Sequence, residues 1–353
     1  MKVGLVLGAG GVLGGAWLTG GLHALAEETD WDPGSAEFIV GTSAGSMIGV
    51  LAAAGVPPWF MVAHSAGESF DGVNAADGTP AAEADRAAGA VFRLHRGLPT
   101  LGPGSLRMAF TALRNPFGHT PLQMMAGWLP AGFISTDSLQ QIVRRAVPER
   151  WVEHPNYWAV ACDYGSGKRT VFGRLDAPNV EIAEAVAASC AIPGFYRPVK
   201  AGESRYVDGG VCSISNLDLV AGRGLDLVIC LNPLTSSDRD DGLLDLLPLF
   251  TNGSGRRRLA HEERKVRRFG SEVLVLEPTA EDRAIMGRNW MSGERRQQVI
   301  KTTQRTMAEQ LRAPAVRALV DSLPPGEPHK IEQPPGPPSS WPDLRPAARR
   351  QAA

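Results

Sequence analysis

The 353-residue chain lacks most of the features that announce a function. No segment approaches 18 consecutive apolar residues, so no membrane-spanning helix is expected. Basic and acidic side chains nearly cancel, 36 against 37, leaving no basic excess to draw nucleic acid. The four cysteines, Cys162, Cys190, Cys212 and Cys230, contain no C-x-x-C pair. They read as reduced, mostly buried thiols rather than a disulfide frame or a zinc site. Seven scattered histidines include no H-x-x-x-H pair, so neither a metal nor another cofactor is expected. G-x-x-x-x-G-K-[ST] is absent, which removes the P-loop nucleotide binders.

Glycine, by contrast, is plentiful at 40 residues, and eight of them lie between Val3 and Leu25. Lys2, an apolar stretch and "ALA" at 24–26 imitate a secretory signal, but so many glycines make a poor hydrophobic helix. The default expectation is a cytoplasmic protein. Lys2–Leu7 reads as a first strand, "GAGGVLGG" as a glycine loop, and the following residues as a helix to about Glu28. Ala36–Val40 is short, aromatic and β-branched like a buried strand, and Ser46–Ala54 is a helix ending at Gly55. This βαβα opening predicts parallel strands with helical crossovers.

Between that strand and helix stands "GTSAG", with Ser43 flanked by Gly41 and Gly45. With 21 Ser and 40 Gly, G-x-S-x-G arises by chance about 0.3 times in such a chain, so context must decide. A strand, a glycine-flanked serine and a helix make a nucleophile elbow, which exposes the hydroxyl at a helix N-terminus. There the helix dipole favours a developing negative charge. A simple helix-capping serine is the competing reading.

A serine nucleophile needs oxyanion donors and a base. The glycine loop after the first strand offers bare N–H groups at Gly10, Gly11 and Val12, with Gly14 completing it. Its rival is a dinucleotide loop, but Leu13 stands where G-x-G-x-x-G needs its third glycine. The second strand also ends in Val40-Gly41 and not in an acidic residue. No histidine has a convincing base context. Asp208 does, at the end of the short strand Arg205–Val207 and before Gly209 and Gly210, although Asp-Gly is also an ordinary turn signal.

The remaining chain is read more coarsely. Residues 60–136 are helical and irregular, and Asp137–Val147 is an amphipathic helix. Tyr157–Cys162 is a strand followed by a turn and a return strand, and Val180–Ser189 is helical. Leu227–Leu231 and Glu272–Leu276 are further strands. The run 256–268 carries seven basic and two acidic side chains and reads as a solvated helix face.

Taken together, "GAGGVLGG", "GTSAGS" and "DGG" in this order resemble the patatin-like phospholipase family, bacterial acylesterases related to patatin and to neuropathy target esterase. The likeness covers roughly residues 3–220. "ASCAIPGFYRP" at 188–198 and Ser213, Asn216 and Asp218 after the D-G-G extend it. The resemblance implies an α/β, three-layer fold with a mainly parallel central sheet flanked by helices. It implies a Ser-Asp dyad without histidine, which carries over to Ser43 and Asp208, and a lipid or acyl-ester substrate. The implied division is a catalytic domain over 3–220, a C-terminal part of the same α/β unit over 221–322, and a Pro-rich, disordered tail over 323–353. Family loops carry Arg or Lys where this chain has Leu13, and Ala9 replaces a loop glycine. Phospholipid, lysophospholipid and neutral acyl esters therefore all stay open as substrates.

Three alternatives accompany this expectation. "AHSAGE" at 63–68 imitates an acyltransferase elbow around Ser65, but Ala63 breaks the pattern and Pro57-Pro58 reads as a helix start. A lipid-binding or regulatory module that kept the fold without catalysis is a second. The third concerns location: "DGLLDLLPLF" at 241–250 beside the basic run suits transient adsorption at an anionic inner membrane face. Against it stands the simpler reading of core leucines and solvated arginines.

Overall fold

The computed structural model describes residues 1–65, 102–114, 120–236 and 252–326. It is a mixed α/β structure with a central, mostly parallel sheet flanked by helices. The strands are β1 (Val3–Leu7), β2 (Phe38–Thr42), β3 (Tyr157–Asp163), β4 (Arg169–Phe172), β5 (Val199–Ala201), β6 (Ser204–Asp208), β7 (Leu227–Leu231) and β8 (Glu272–Leu276). The described helices are α1 (Gly11–Thr29), α2 (Ala44–Ala53), α3 (Pro58–Ser65), α4 (Leu106–Arg114), α5 (Pro121–Ala126) and α6 (Asp137–Ala146). They continue with α7 (Ile182–Ser189), α8 (Asn252–Arg268), α9 (Ala280–Met286), α10 (Arg296–Arg312) and α11 (Pro314–Val320).

β8, β7, β1, β2 and β3 pair in parallel, and every residue of β1 and β7 is buried, as continuous apolar strands covered on both faces must be. β7 and β8, beyond residue 221, extend the same sheet as β1. The pairing around β3 matters most. Val160 pairs with Thr42 of β2 and Val171 of β4, while Ala161 pairs with Thr170 of β4 and Asp208 of β6. A strand has only two edges, so β2 and β6 share the one opposite β4. They approach from opposite directions and meet where Val160 passes into Ala161.

Several boundaries differ from the sequence reading. The helix expected after a glycine loop already begins at Gly11, so Gly11, Val12 and Gly14 form its first turns and Gly10 its cap. Farther along α1, a Cβ on Gly20 would stand 2.8 Å from the Ile300 carbonyl oxygen, and the missing side chain is what lets α10 lie close. β2 runs two residues past Val40 and delivers the chain directly to Ser43. Ser65 ends helix α3, which starts at Pro58, so it is not on a strand-to-helix elbow. Leu323 is buried and the Gly326 N–H reaches the Asp30 carbonyl at 2.6 Å, so the first residues of the expected tail are packed. The rest of the tail lies outside the described residues.

Helix α8 shows how the basic run is used. Leu259, Glu262 and Val266 face inward, and Arg256, Arg257, Arg258, Arg264, Lys265, Arg267 and Arg268 are exposed. Leu243, Leu246 and Leu247 of the expected apolar element lie outside the described residues. No described helix is long and apolar enough to cross a membrane.

Candidate active site

Ser43 sits between β2 and α2 with φ 53° and ψ −122°, a left-handed conformation that costs a non-glycine residue about 1–3 kcal/mol. Close packing holds it there. A Cβ on Gly45 would stand 2.0 Å from the Leu7 carbonyl oxygen, and one on Gly41 would stand 2.4 Å from the Ser46 Cα. Only hydrogen fits at either place, which is the physical content of the glycines flanking the serine.

The backbone of Ser43 is also fastened at both ends. Its N–H donates to Ser189 Oγ at 2.9 Å, and Ser189 Oγ donates to the Val160 carbonyl at 2.6 Å. Its carbonyl accepts from Ser46 N–H at 2.8 Å, Ser46 Oγ at 2.7 Å and Cys190 Sγ at 3.2 Å. Ser189 and Cys190 close α7, so the "ASC" of the sequence is the buckle that ties the elbow to β3. All four cysteines are buried free thiols. Burial, then the charge of Asp208, pushes the Cys190 thiol up to about 12, so it packs and donates without ionising.

Asp208 closes β6 directly across the junction. Its N–H donates to the Ala191 carbonyl at 2.9 Å, and its Oδ1 accepts from Gly210 N–H at 2.7 Å. A Cβ on Gly209 would stand 2.2 Å from the Val160 carbonyl oxygen, so the D-G-G glycines let the turn lie against β3. Ser43 and Asp208 are 4% and 5% exposed, and a carboxylate so enclosed is disfavoured in its charged form. Burial raises the Asp208 pKa to about 7, against the opposing hydrogen bonds of the Ser43 hydroxyl and Gly210.

The start of α1 completes the setting. The N–H groups of Gly8, Ala9, Leu13 and Gly14 donate to Leu231, Ile214, Trp290 and Gly10 carbonyls respectively. Those of Gly10, Gly11 and Val12 have no acceptor among the described residues. They stand beyond the C-terminal end of β1, beside the elbow whose Gly45 abuts Leu7 and Gly8. Gly11 has φ +60°, and a Cβ there would press on Trp290 O at 3.1 Å. Leu13 is fully buried in the main core, so this turn has no room for a solvated cation.

Supports from the following loop were only partly visible in the motif. Asn216, at φ 52°, donates to Thr42 Oγ1 at 3.0 Å and accepts from Arg169 at 3.1 Å. Arg169 also grips Asp218 through two bonds of 2.6 and 2.9 Å. Glu262, buried on α8, accepts from Ser215 Oγ at 2.6 Å and Leu217 N–H at 3.0 Å, and Arg258 reaches its other oxygen at 3.2 Å. The basic helix thus contributes an acid to the loop behind Ser43. Described histidines are occupied elsewhere: His23 contacts Gln304, His64 stacks on Phe60, His154 contacts Ala36, and His261 is exposed on α8. His95, His119 and His329 lie outside the described residues.

A family model described as patatin-like phospholipase matches residues 5–221. No curated protein matches the chain. Among solved structures, the crystal structure of VipD from Legionella pneumophila is 14% identical, with a TM-score of 0.36 over 86% of this chain and 67% of that one.

Proposed function

The chain belongs to the patatin-like phospholipase family, and from that premise we propose that it is a serine acyl hydrolase of lipid carboxylic esters acting through Ser43 and Asp208. The observation that carries this reading is the junction on β3, where a conformationally strained serine meets a buried carboxyl with a pKa of about 7. An unperturbed aspartate near 3.9 is a poor base, and one raised toward neutrality is matched to proton abstraction at physiological pH.

In the proposed cycle Asp208 takes the hydroxyl proton as Ser43 Oγ attacks the ester carbonyl carbon. The N–H groups of Gly10, Gly11 and Val12 stabilise the oxyanion, a role in which each donor is worth about 3 kcal/mol of barrier. The tetrahedral intermediate collapses, the carboxyl proton passes to the departing alcohol, and an acyl-serine remains. Water then gives its proton to Asp208 and attacks the acyl carbon, and the carboxyl returns that proton to Ser43 Oγ as the fatty acid leaves. Because Leu13 is core, phosphate recognition gains no cation from this turn, and neutral acyl esters stand beside phospholipids as substrates.

A fluorophosphonate probe tests the proposal directly. One adduct on Ser43 at neutral pH is expected, and none in Ser43→Ala. Folded wild-type protein that takes up no probe would leave the module a lipid binder without catalysis.

A further inference from the structure

The segment that joins α9 to α10, residues 287–295, lies beyond the span matched to the family and returns onto the glycine turn. Its own contacts hold it in one shape. Gly287 ends α9 at φ 61° and ψ −151°, a conformation open in practice to glycine alone, and Arg295 Nη1 donates to the Ile285 carbonyl at 3.2 Å. The Ser292 N–H donates to the Asn289 carbonyl at 3.1 Å, and the Glu294 N–H donates to Ser292 Oγ at 3.3 Å.

The middle of this segment touches the turn. The Trp290 carbonyl accepts the Leu13 N–H at 3.0 Å. A Cβ on Gly11 would stand 3.0 Å from Met291 Sδ and 3.1 Å from Trp290 O, so the bare Gly11 backbone is packed on this segment. The Gly11 N–H, like those of Gly10 and Val12, has no acceptor among the described residues. Trp290 and Met291 are half-buried, each packing against the main core and keeping part of its surface exposed. An indole and a thioether beside unspent amide donors combine an apolar lining with a polar end, which suits an elongated apolar ligand with a carbonyl head.

The order of the sheet decides which part of an ester reaches them. From one side to the other the strands run β6, β3, β2, β1 and β7. Asp208 closes β6 and, in the proposed cycle, hands its proton to the departing alcohol, so the alcohol faces β6. Ser43 follows β2, and the turn that takes the carbonyl oxygen follows β1. Beyond that turn, Pro233 abuts Gly10, and Trp290 and Met291 abut Gly11. With the alcohol at one end of the row, the side chains at the other end are left to the acyl chain. An acetyl group ends at the turn, whereas an octanoyl group extends past it.

We propose that Trp290 and Met291 line the path of the acyl chain and give the site a preference for octanoyl over acetyl esters. The proposal rests on the acyl-hydrolase reading and deepens it, since it names residues outside the matched span that choose among substrates.

The test compares kcat/KM for p-nitrophenyl octanoate and p-nitrophenyl acetate. Met291→Ala should lower the octanoate-to-acetate ratio by about tenfold, the scale of a lost apolar contact in a substrate pocket, and Met291→Leu should restore it. A role confined to holding α1 would slow both esters alike, and an unchanged ratio in Met291→Ala overturns the proposal. A second measurement needs neither turnover nor a folded Met291→Ala chain. In Ser43→Ala, a terminally brominated undecanoate should quench a component of the tryptophan emission that disappears when Trp290→Phe is added. Quenching of equal amplitude with and without Trp290 overturns the proposal as well. The fluorophosphonate result is independent of both measurements. A chain that takes no probe yet shows quenching through Trp290 loses the hydrolase reading and keeps the acyl path, and a labelled chain with an unchanged ester ratio does the reverse.

Discussion

The turn that carries Ser43 and the turn that carries Asp208 meet on one edge of β3, yet each stores its cost in a different form. Ser43 has a strained backbone at φ 53° and an ordinary neutral side chain. Asp208 has an ordinary backbone, with φ −47° and ψ 132°, and a side chain whose charge is disfavoured by burial. One half of the site is held against conformation and the other against electrostatics. Substitutions at the first should therefore disturb shape, and substitutions at the second should disturb protonation.

The largest expected effect separates the two. Asp208→Asn should lower kcat/KM by about 10⁴, the scale seen when a catalytic aspartate becomes an amide, while preserving the turn. Stability should move the other way. The folded carboxyl holds its proton up to a pH of about 7, whereas the unfolded one releases it near 3.8, so the native state binds more protons between them. Wild-type stability is therefore fully present below the unfolded pKa and falls through that window, by about 4 kcal/mol above it. The amide should accordingly raise the unfolding midpoint at pH 8 and leave it nearly unchanged at pH 3. Wild-type kcat/KM should itself climb as pH passes through about 7. A variant less stable than wild type at pH 8 would remove the electrostatic half of the comparison.

Gly45→Ala should act on shape. Its Cβ would meet the Leu7 carbonyl oxygen at 2.0 Å, and backbone at the centre of a sheet cannot move aside. A loss of about 3 kcal/mol or more is expected in chemical denaturation, with probe labelling of Ser43 falling in parallel. An unperturbed midpoint would mean that the elbow is looser than its contacts indicate. Ser189→Ala should be the mildest. It strands the Ser43 N–H and frees the Val160 carbonyl, costing about 1–3 kcal/mol. Turnover should fall by about tenfold because the proposed nucleophile is less well placed. The pH dependence of the remaining activity should stay where wild type has it, since Asp208 keeps its surroundings.

How much of this was legible in the sequence depends on the range of the interaction. β7 and β8 match their expected limits, because a continuous apolar run bounded by polar residues is a local signal. The same holds for the turn and return strand after β3. The start of α1 reads as loop in the sequence because glycine disfavours helix, whereas packing against α10 and Pro233 keeps it helical. Strand β5, three residues long, carried too little pattern to notice. Ser189 belonged to a recognised motif, but its link to Ser43 spans 146 residues and leaves no periodicity to read. Glu262 stands in a run that reads as a solvated helix face, and nothing in its neighbours foretells that it turns inward to hold Ser215 and Leu217.

The head-to-head meeting of β2 and β6 on one edge of β3 has a consequence for which length changes the chain can tolerate. Val160 sets the level of the first and Ala161 the level of the second. A residue inserted between them would push Ser43 and Asp208 apart by about 3.3 Å and turn every later β3 side chain to the opposite face. Surface loops on either side can lengthen freely, as loops generally do. That single step in the middle of β3 is the vernier of the site, where insertions and deletions should be absent among working descendants of this chain.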